Sequence, residues 1–200
     1  MKKVSFDIGN VLCHVDTAKL KTFILDIGIV SSEAELNEFI GKIHKQQDIG
    51  ECNLKQGLIR INPQLDESVI QQLHDVWSDI ARPSNVMLDL VEELIHIHGY
   101  EVSLLSNVGF DHAELIRQKC RIFDKCNQHF SCNIGIAKPS VQFYQSFISK
   151  YGWDSSVLFF DDRPENINAA SGYLTGVLFD IEKYDSDEAA AQVIRNHLGL

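Results

Sequence analysis

From about Asp16 to Ile80 the sequence shows one helical pattern after another and no strand, whereas a parallel crossover needs only a single helix. The segments Ala18–Asp26, Ser32–His44, Asn53–Ile61 and Glu67–Ile80 carry apolar residues at three- and four-residue spacing, with Ser32 and Asp66 as N-caps and Gly50 and Pro63 in loops. This block follows a short apolar strand, Val4 to Asp7, that ends on an acid before the turn-forming Gly9-Asn10. Beyond Arg82-Pro83 helix and strand alternate: helix 84–98, strand Val102–Leu105, a helix around His112–Lys119, an extended stretch near Phe130–Ile134, helix Val141–Tyr151, strand 157–160, helix 164–171, strand 175–179 and a final helix. Alternation of this kind implies an α/β chain with a doubly wound parallel sheet. The helical block is then an insertion, a cap domain over residues 16–81 set into a core domain formed by 1–15 and 82–200.

In such sheets ligands bind beyond the carboxyl ends of the strands. Asp7, Ser106-Asn107 and Asp161-Asp162 each follow a strand, and Lys138 lies in a loop before a helix, so four regions distant in sequence are expected to meet at one place. Cysteine offers no comparable signal. Cys13, Cys52, Cys120, Cys126 and Cys132 form an odd set without a C-x-x-C pair, which speaks against a disulfide framework or a zinc knuckle and for reduced thiols. His96 and His98, two apart on a helix, point to different faces and make poor co-ligands. Trp77 and Trp153 read as packing residues.

Taken in order, Phe6-Asp7-Ile8-Gly9-Asn10-Val11-Leu12, Leu104-Leu105-Ser106-Asn107, Ala137-Lys138-Pro139 and Phe159-Phe160-Asp161-Asp162-Arg163-Pro164-Glu165-Asn166-Ile167 resemble the four motifs of haloacid-dehalogenase-like phosphatases. The nearest resemblance is to small bacterial sugar-phosphatases whose first motif begins Asp-x-Gly-Asn. It implies a Rossmann-like core and a Mg²⁺-dependent phosphomonoester hydrolase acting on a small phosphorylated substrate, with sugar phosphates the preferred class. It also implies roles. Asp7 attacks phosphorus and carries an aspartyl-phosphate; Asp7, the backbone carbonyl of Gly9 and Asp162 hold Mg²⁺; Asp161 sits outside the metal's own ligands and orients bound water. Ser106, the amide of Asn107 and Lys138 bind the phosphoryl oxygens, and Lys138 also neutralises charge beside Asp7. These residue types suit the chemistry, because an anionic nucleophile approaches an anionic phosphoryl group only where cations share the site.

Composition agrees with that need. The chain has 18 Lys+Arg against 28 Asp+Glu, a formal charge of −10, spread without a basic stripe, so nucleic acid is not an expected partner. An acidic protein that handles phosphate has to neutralise it locally, with a metal or a lysine. The N-terminus reaches Asp7 before an apolar run of signal-peptide length, and no stretch approaches the ~18 apolar residues of a membrane span. A cytoplasmic monomer or homodimer without a membrane partner is expected.

The sequence departs from the resemblance at one position. Most phosphatases of this kind carry a second aspartate two residues after the nucleophile, as general acid and base; here that residue is Gly9. His14 and Asp16 follow closely enough to be considered as substitutes. Substrate choice is expected from the cap, where Gln46 to Glu51, between helices, is either a stretch facing the site or an ordinary polar loop. Two other readings stand beside hydrolysis. A 2-haloacid dehalogenase shares fold and nucleophile but attacks carbon without Mg²⁺, and Asp161-Asp162 speaks against it. A phosphate-binding or regulatory relative with little turnover would tolerate the loss at Gly9.

Overall fold

A computed structural model describes residues 2–200. Among these residues seven strands and ten α-helices follow one another as β1 (Lys2–Phe6), β2 (Cys13–Val15), α1 (Ala18–Asp26), α2 (Glu33–Asp48), α3 (Leu54–Ile61), α4 (Glu67–Ser78), β3 (Ala81–Pro83), α5 (Asn85–His96), β4 (Tyr100–Ser106), α6 (Phe110–Lys119), β5 (Asn127–Phe130), α7 (Ser131–Ile134), α8 (Val141–Tyr151), β6 (Leu158–Asp161), α9 (Pro164–Ala170), β7 (Thr175–Leu178) and α10 (Asp187–Leu198). Five strands form a parallel sheet in the order β5-β4-β1-β6-β7. In register, Phe6 lies between Leu104 and Phe160.

The sheet is covered on both faces, which is why its central strands are apolar almost throughout. Successive side chains of a strand point to opposite faces. Leu104 and Phe160 accordingly join the core under α5, α6 and α10, with Leu90, Ile116 and Ile194, while their neighbours Leu105 and Phe159 join Phe143, Phe147 and Ala170 under α8 and α9. Residues between β2 and β3 pack around a separate apolar cluster in which Leu20, Phe39, Leu58, Leu73 and Trp77 are buried. No described helix is long and apolar enough to cross a membrane.

Three details differ from the sequence reading. An antiparallel two-stranded ribbon, β2 with β3, pairs Cys13 with Pro83 and Val15 with Ala81, so the helical segment enters and leaves at one place; three-residue strands are too short to show a period. The extended stretch expected near Phe130–Ile134 lies earlier, at Asn127–Phe130, and Ser131–Ile134 is a helical turn. An edge strand reading Asn-Gln-His-Phe lacks apolar alternation. Finally, α2 continues to Asp48, so Gln46, Gln47 and Asp48 are helical and not loop; Gly50, at φ 72°, follows the stop.

Candidate active site

Adjacent parallel strands bring the carboxylates together. Asp7 follows β1, where its N–H donates to Phe160 O at 2.8 Å and prolongs the ladder to β6. Asp161 ends β6, Asp162 comes next, and Ser106 ends β4 on the other side. Sheet order runs outward in both directions from β1, so this is the crevice at which neighbouring loops diverge. A cavity of about 370 Å³ opens there, lined by Asp7, Gly9, Asn10, His44, Asp48, Ser106, Asn107, Lys138, Asp162, Arg163 and Asn166.

Lys138 ties the centre. Its buried ammonium lies 3.0 Å from Asp7 Oδ2 and 2.6 Å from Asp161 Oδ2, and it donates to Leu105 O at 2.8 Å, which commits its three protons. Asn107 holds the lysine's own backbone from both sides, accepting from Lys138 N and donating to Lys138 O, each at 2.8 Å. Asp161 is saturated by protein donors: besides Lys138, Arg163 N–H reaches Oδ1 at 2.9 Å, and Asn166 Nδ2 reaches Oδ1 at 2.9 Å and Oδ2 at 3.1 Å. Among the described residues Asp162 accepts only from Asn10 Nδ2, at 3.0 Å.

Burial dominates the electrostatics. It pushes Asp7 up to about 6, with the Asp161 charge acting the same way, while Lys138, the Ser106 hydroxyl and the Ile8 N–H, 2.7 Å from Oδ1, act against it. Burial also raises Asp162, against the Asn10 hydrogen bond. Asp7, Asp161 and Asp162 offer oxygens within 4.8 Å of one another. One lysine offsets only one of three charges, so the cluster calls for a further cation. The donors are all hard oxygens, as Mg²⁺ or Ca²⁺ requires. Asp161 is already occupied, which leaves Asp7 and Asp162; the Gly9 carbonyl, beside the cavity, accepts none of the backbone hydrogen bonds among the described residues.

The structure thus brings Asp7, Gly9, Ser106, Asn107, Lys138, Asp161 and Asp162 to one place. His14 and Asp16 lie elsewhere. On β2, Cys13 and Val15 face the crevice, so His14 points away and lies 2.6 Å from Glu182 and 3.2 Å from Asp187. Asp16 caps Ala18 N–H at 2.9 Å and lines a different groove, with Lys19, Asp79 and Arg82. All five cysteines are free and buried.

Sequence reasoning missed the roles of Asn10, Asn166 and His44, and had Asp48 only within the Gln46–Glu51 stretch considered for substrate choice. Asn10 takes φ 52°, a left-handed conformation that asparagine tolerates, and so turns its amide toward Asp162. Asn166 lies in the first turn of α9, from which its amide reaches back to Asp161. Its Oδ1 is buried without a hydrogen-bond partner among the described residues. His44, Gln47 and Asp48 stand at i, i+3 and i+4 on α2, a shared face that the spacing could have disclosed had the helix been carried past His44.

No family model and no curated protein matches the chain. Solved structures do. The HAD family enzyme BT-2542 from Bacteroides thetaiotaomicron, in complex with magnesium and inorganic phosphate, superposes with a TM-score of 0.77 at 20% identity, over 93% of this chain and 98% of that one. A predicted HAD-like family hydrolase from Porphyromonas gingivalis gives 0.78 at 21% identity, over 98% of both chains. An L-2-haloacid dehalogenase gives 0.61 at 16% identity, over 94% and 90%. The chain has the fold of the haloacid-dehalogenase-like enzymes.

Proposed function

We propose that the chain is a Mg²⁺-dependent phosphomonoester hydrolase in which Asp7 is the nucleophile. One observation carries the reading: a buried carboxylate at a strand end is held 3.0 Å from a buried lysine, beside two further carboxylates and a cavity large enough for a small phosphate ester. Asp7 is oriented by the Ile8 N–H on Oδ1 and by Lys138 on Oδ2, which fixes the carboxylate where it lines the cavity. Lys138 offsets the charge of Asp7 as the phosphoryl group approaches, and Ser106 and the Asn107 amide receive its oxygens. Attack gives an aspartyl-phosphate and water releases phosphate from it, two easier steps in place of one.

Mg²⁺ fits Asp7, Asp162 and the Gly9 carbonyl, with Asp161 outside them. Bound there, it would offset the carboxylate charge and polarise the phosphoryl oxygens. The magnesium and phosphate bound by BT-2542 support this reading by likeness of fold. The helical segment between β2 and β3 acts as a cap, since His44 and Asp48 reach the cavity from α2. A small phosphorylated metabolite, a sugar phosphate for preference, is the substrate class.

The test is phosphate release from p-nitrophenyl phosphate and a panel of sugar phosphates, with and without Mg²⁺, for the wild type and Asp7→Asn. Metal-dependent turnover that Asp7→Asn abolishes supports the proposal. Absence of turnover with every phosphate sinks it, and chloride release from 2-chloropropionate would then point to attack on carbon.

A further inference from the structure

The proposed chemistry needs a proton donor for the departing alkoxide, and Gly9 has no side chain to supply one. A Cβ on Gly9 would lie 3.3 Å from Val15 Cγ2 on β2, so a side chain there would need Val15 to give way by a few tenths of an ångström. The donor has to stand where the bridging oxygen of the ester would be, between the phosphoryl group and the organic part of the substrate.

That position is marked by two adjoining cavities. Beside the polar one around Asp7 and Lys138 lies a smaller one of about 130 Å³, with walls that include Ile8, Val15, Ile80, Val108 and Ile116. Its apolar lining suits an organic group and its neighbour suits a phosphate. The residues common to both are Gly9, His44, Asp48, Ser106 and Asn107. Asn107's side chain is spent on the Lys138 backbone. A serine hydroxyl is a feeble acid. His44 packs on Trp77, with ring centres 4.7 Å apart, and burial together with His112 pushes it down to about 4, so it is neutral. Asp48 alone of the five has a carboxyl group, and among the described residues nothing hydrogen-bonds to it.

We infer that Asp48, on the last turn of α2, is the general acid and base of this site, standing in for the group missing at residue 9. The inference rests on the phosphohydrolase reading above. In the first half-reaction an Asp7 oxygen bonds to phosphorus as the ester P–O bond breaks; the electron pair goes to the leaving oxygen, which takes the proton from Asp48 and departs as an alcohol. In the second, water bonds to phosphorus and gives its proton to the Asp48 carboxylate, while the P–O bond to Asp7 breaks and returns the pair to Asp7. Phosphate leaves, and both carboxyl groups are restored. Burial favours the protonated state that begins this cycle, pushing Asp48 up to about 6; the Asp7 charge acts the same way, and Arg163 and Lys138 oppose it.

The experiment compares wild type and Asp48→Asn, both with Mg²⁺, on p-nitrophenyl phosphate and on alkyl phosphates. Nitrophenolate leaves without a proton and an alkoxide does not. Expected is a ~10²–10⁴-fold fall in kcat/KM for alkyl phosphates, a p-nitrophenol burst close to the wild-type rate, and aspartyl-phosphate accumulating behind that burst. Asp48→Glu should recover part of the alkyl activity, which a folding defect would not allow. An equal fall for both leaving groups, or no fall, overturns the assignment while leaving the phosphohydrolase reading intact. A wild type inactive on all phosphates overturns both.

Discussion

Lys138 sits between two carboxylates that would otherwise repel, and its charge offsets theirs away from water. Removing one partner of such a group leaves uncompensated buried charge, at about 3–5 kcal/mol. In Lys138→Met the carboxylates have one way to lower that cost, which is to take up a proton. Asp7 already stands at about 6 with the lysine present, against an unfolded value near 3.8, and without the lysine it rises further. A folded-state value above the unfolded one means that the folded protein binds more protons, so its stability grows as pH falls. With chelator present, Tm of Lys138→Met is expected well below wild type at pH 8, and the gap should narrow by pH 5. A gap that is constant with pH would mean that lost packing, and not charge, sets the cost.

At the scale of elements, the end of α2 decides where Asp48 stands, and Gly50 decides where α2 ends. Gly50 has φ 72°, and a Cβ there would lie 2.3 Å from the Cys132 carbonyl oxygen and 3.0 Å from the Phe110 ring. Gly28 has a similar φ of 69° but open space around it. Gly28→Ala therefore carries only the left-handed strain, roughly 1–2 kcal/mol, whereas Gly50→Ala also drives α2 away from α6 and α7. Gly50→Ala is expected to lower Tm more than Gly28→Ala, and alone to reduce alkyl phosphate turnover; equal effects would show that the contact with Cys132 yields freely. The same segment marks how far the sequence could be read. Strong local patterns were legible: Val4 to Asp7, the Leu104-Leu105 and Phe159-Phe160 strands, the caps Ser32 and Asp66, and the acids and lysine at the loop ends. What escaped depends on distant partners. β2 and β3 exist because Cys13 and Val15 find Pro83 and Ala81. Asn107 binds Lys138 across 31 residues, and Asp48 matters only because the helix end is brought over β1.

Over the whole molecule, the formal charge of −10 opposes the capture of an anionic substrate. Local cations do little against it. Lys138 is neutralised by Asp7 and Asp161, and Arg163 is paired with Glu165 at the surface. Asp162 adds negative charge at the cavity. Screening should then help binding and not hinder it: the Debye length shrinks from ~30 Å at 0.01 M to ~8 Å at 0.15 M ionic strength, shorter than the reach of charges spread over the whole surface. With Mg²⁺ held saturating, kcat/KM for a dianionic phosphate ester is expected to rise over that range through a falling KM, with kcat unchanged, because the buried ion pairs that act on the bound substrate are screened far less. A steady decline with salt would mean that the loaded metal site attracts substrate more strongly than the rest of the acidic surface repels it, and that capture is governed within the crevice.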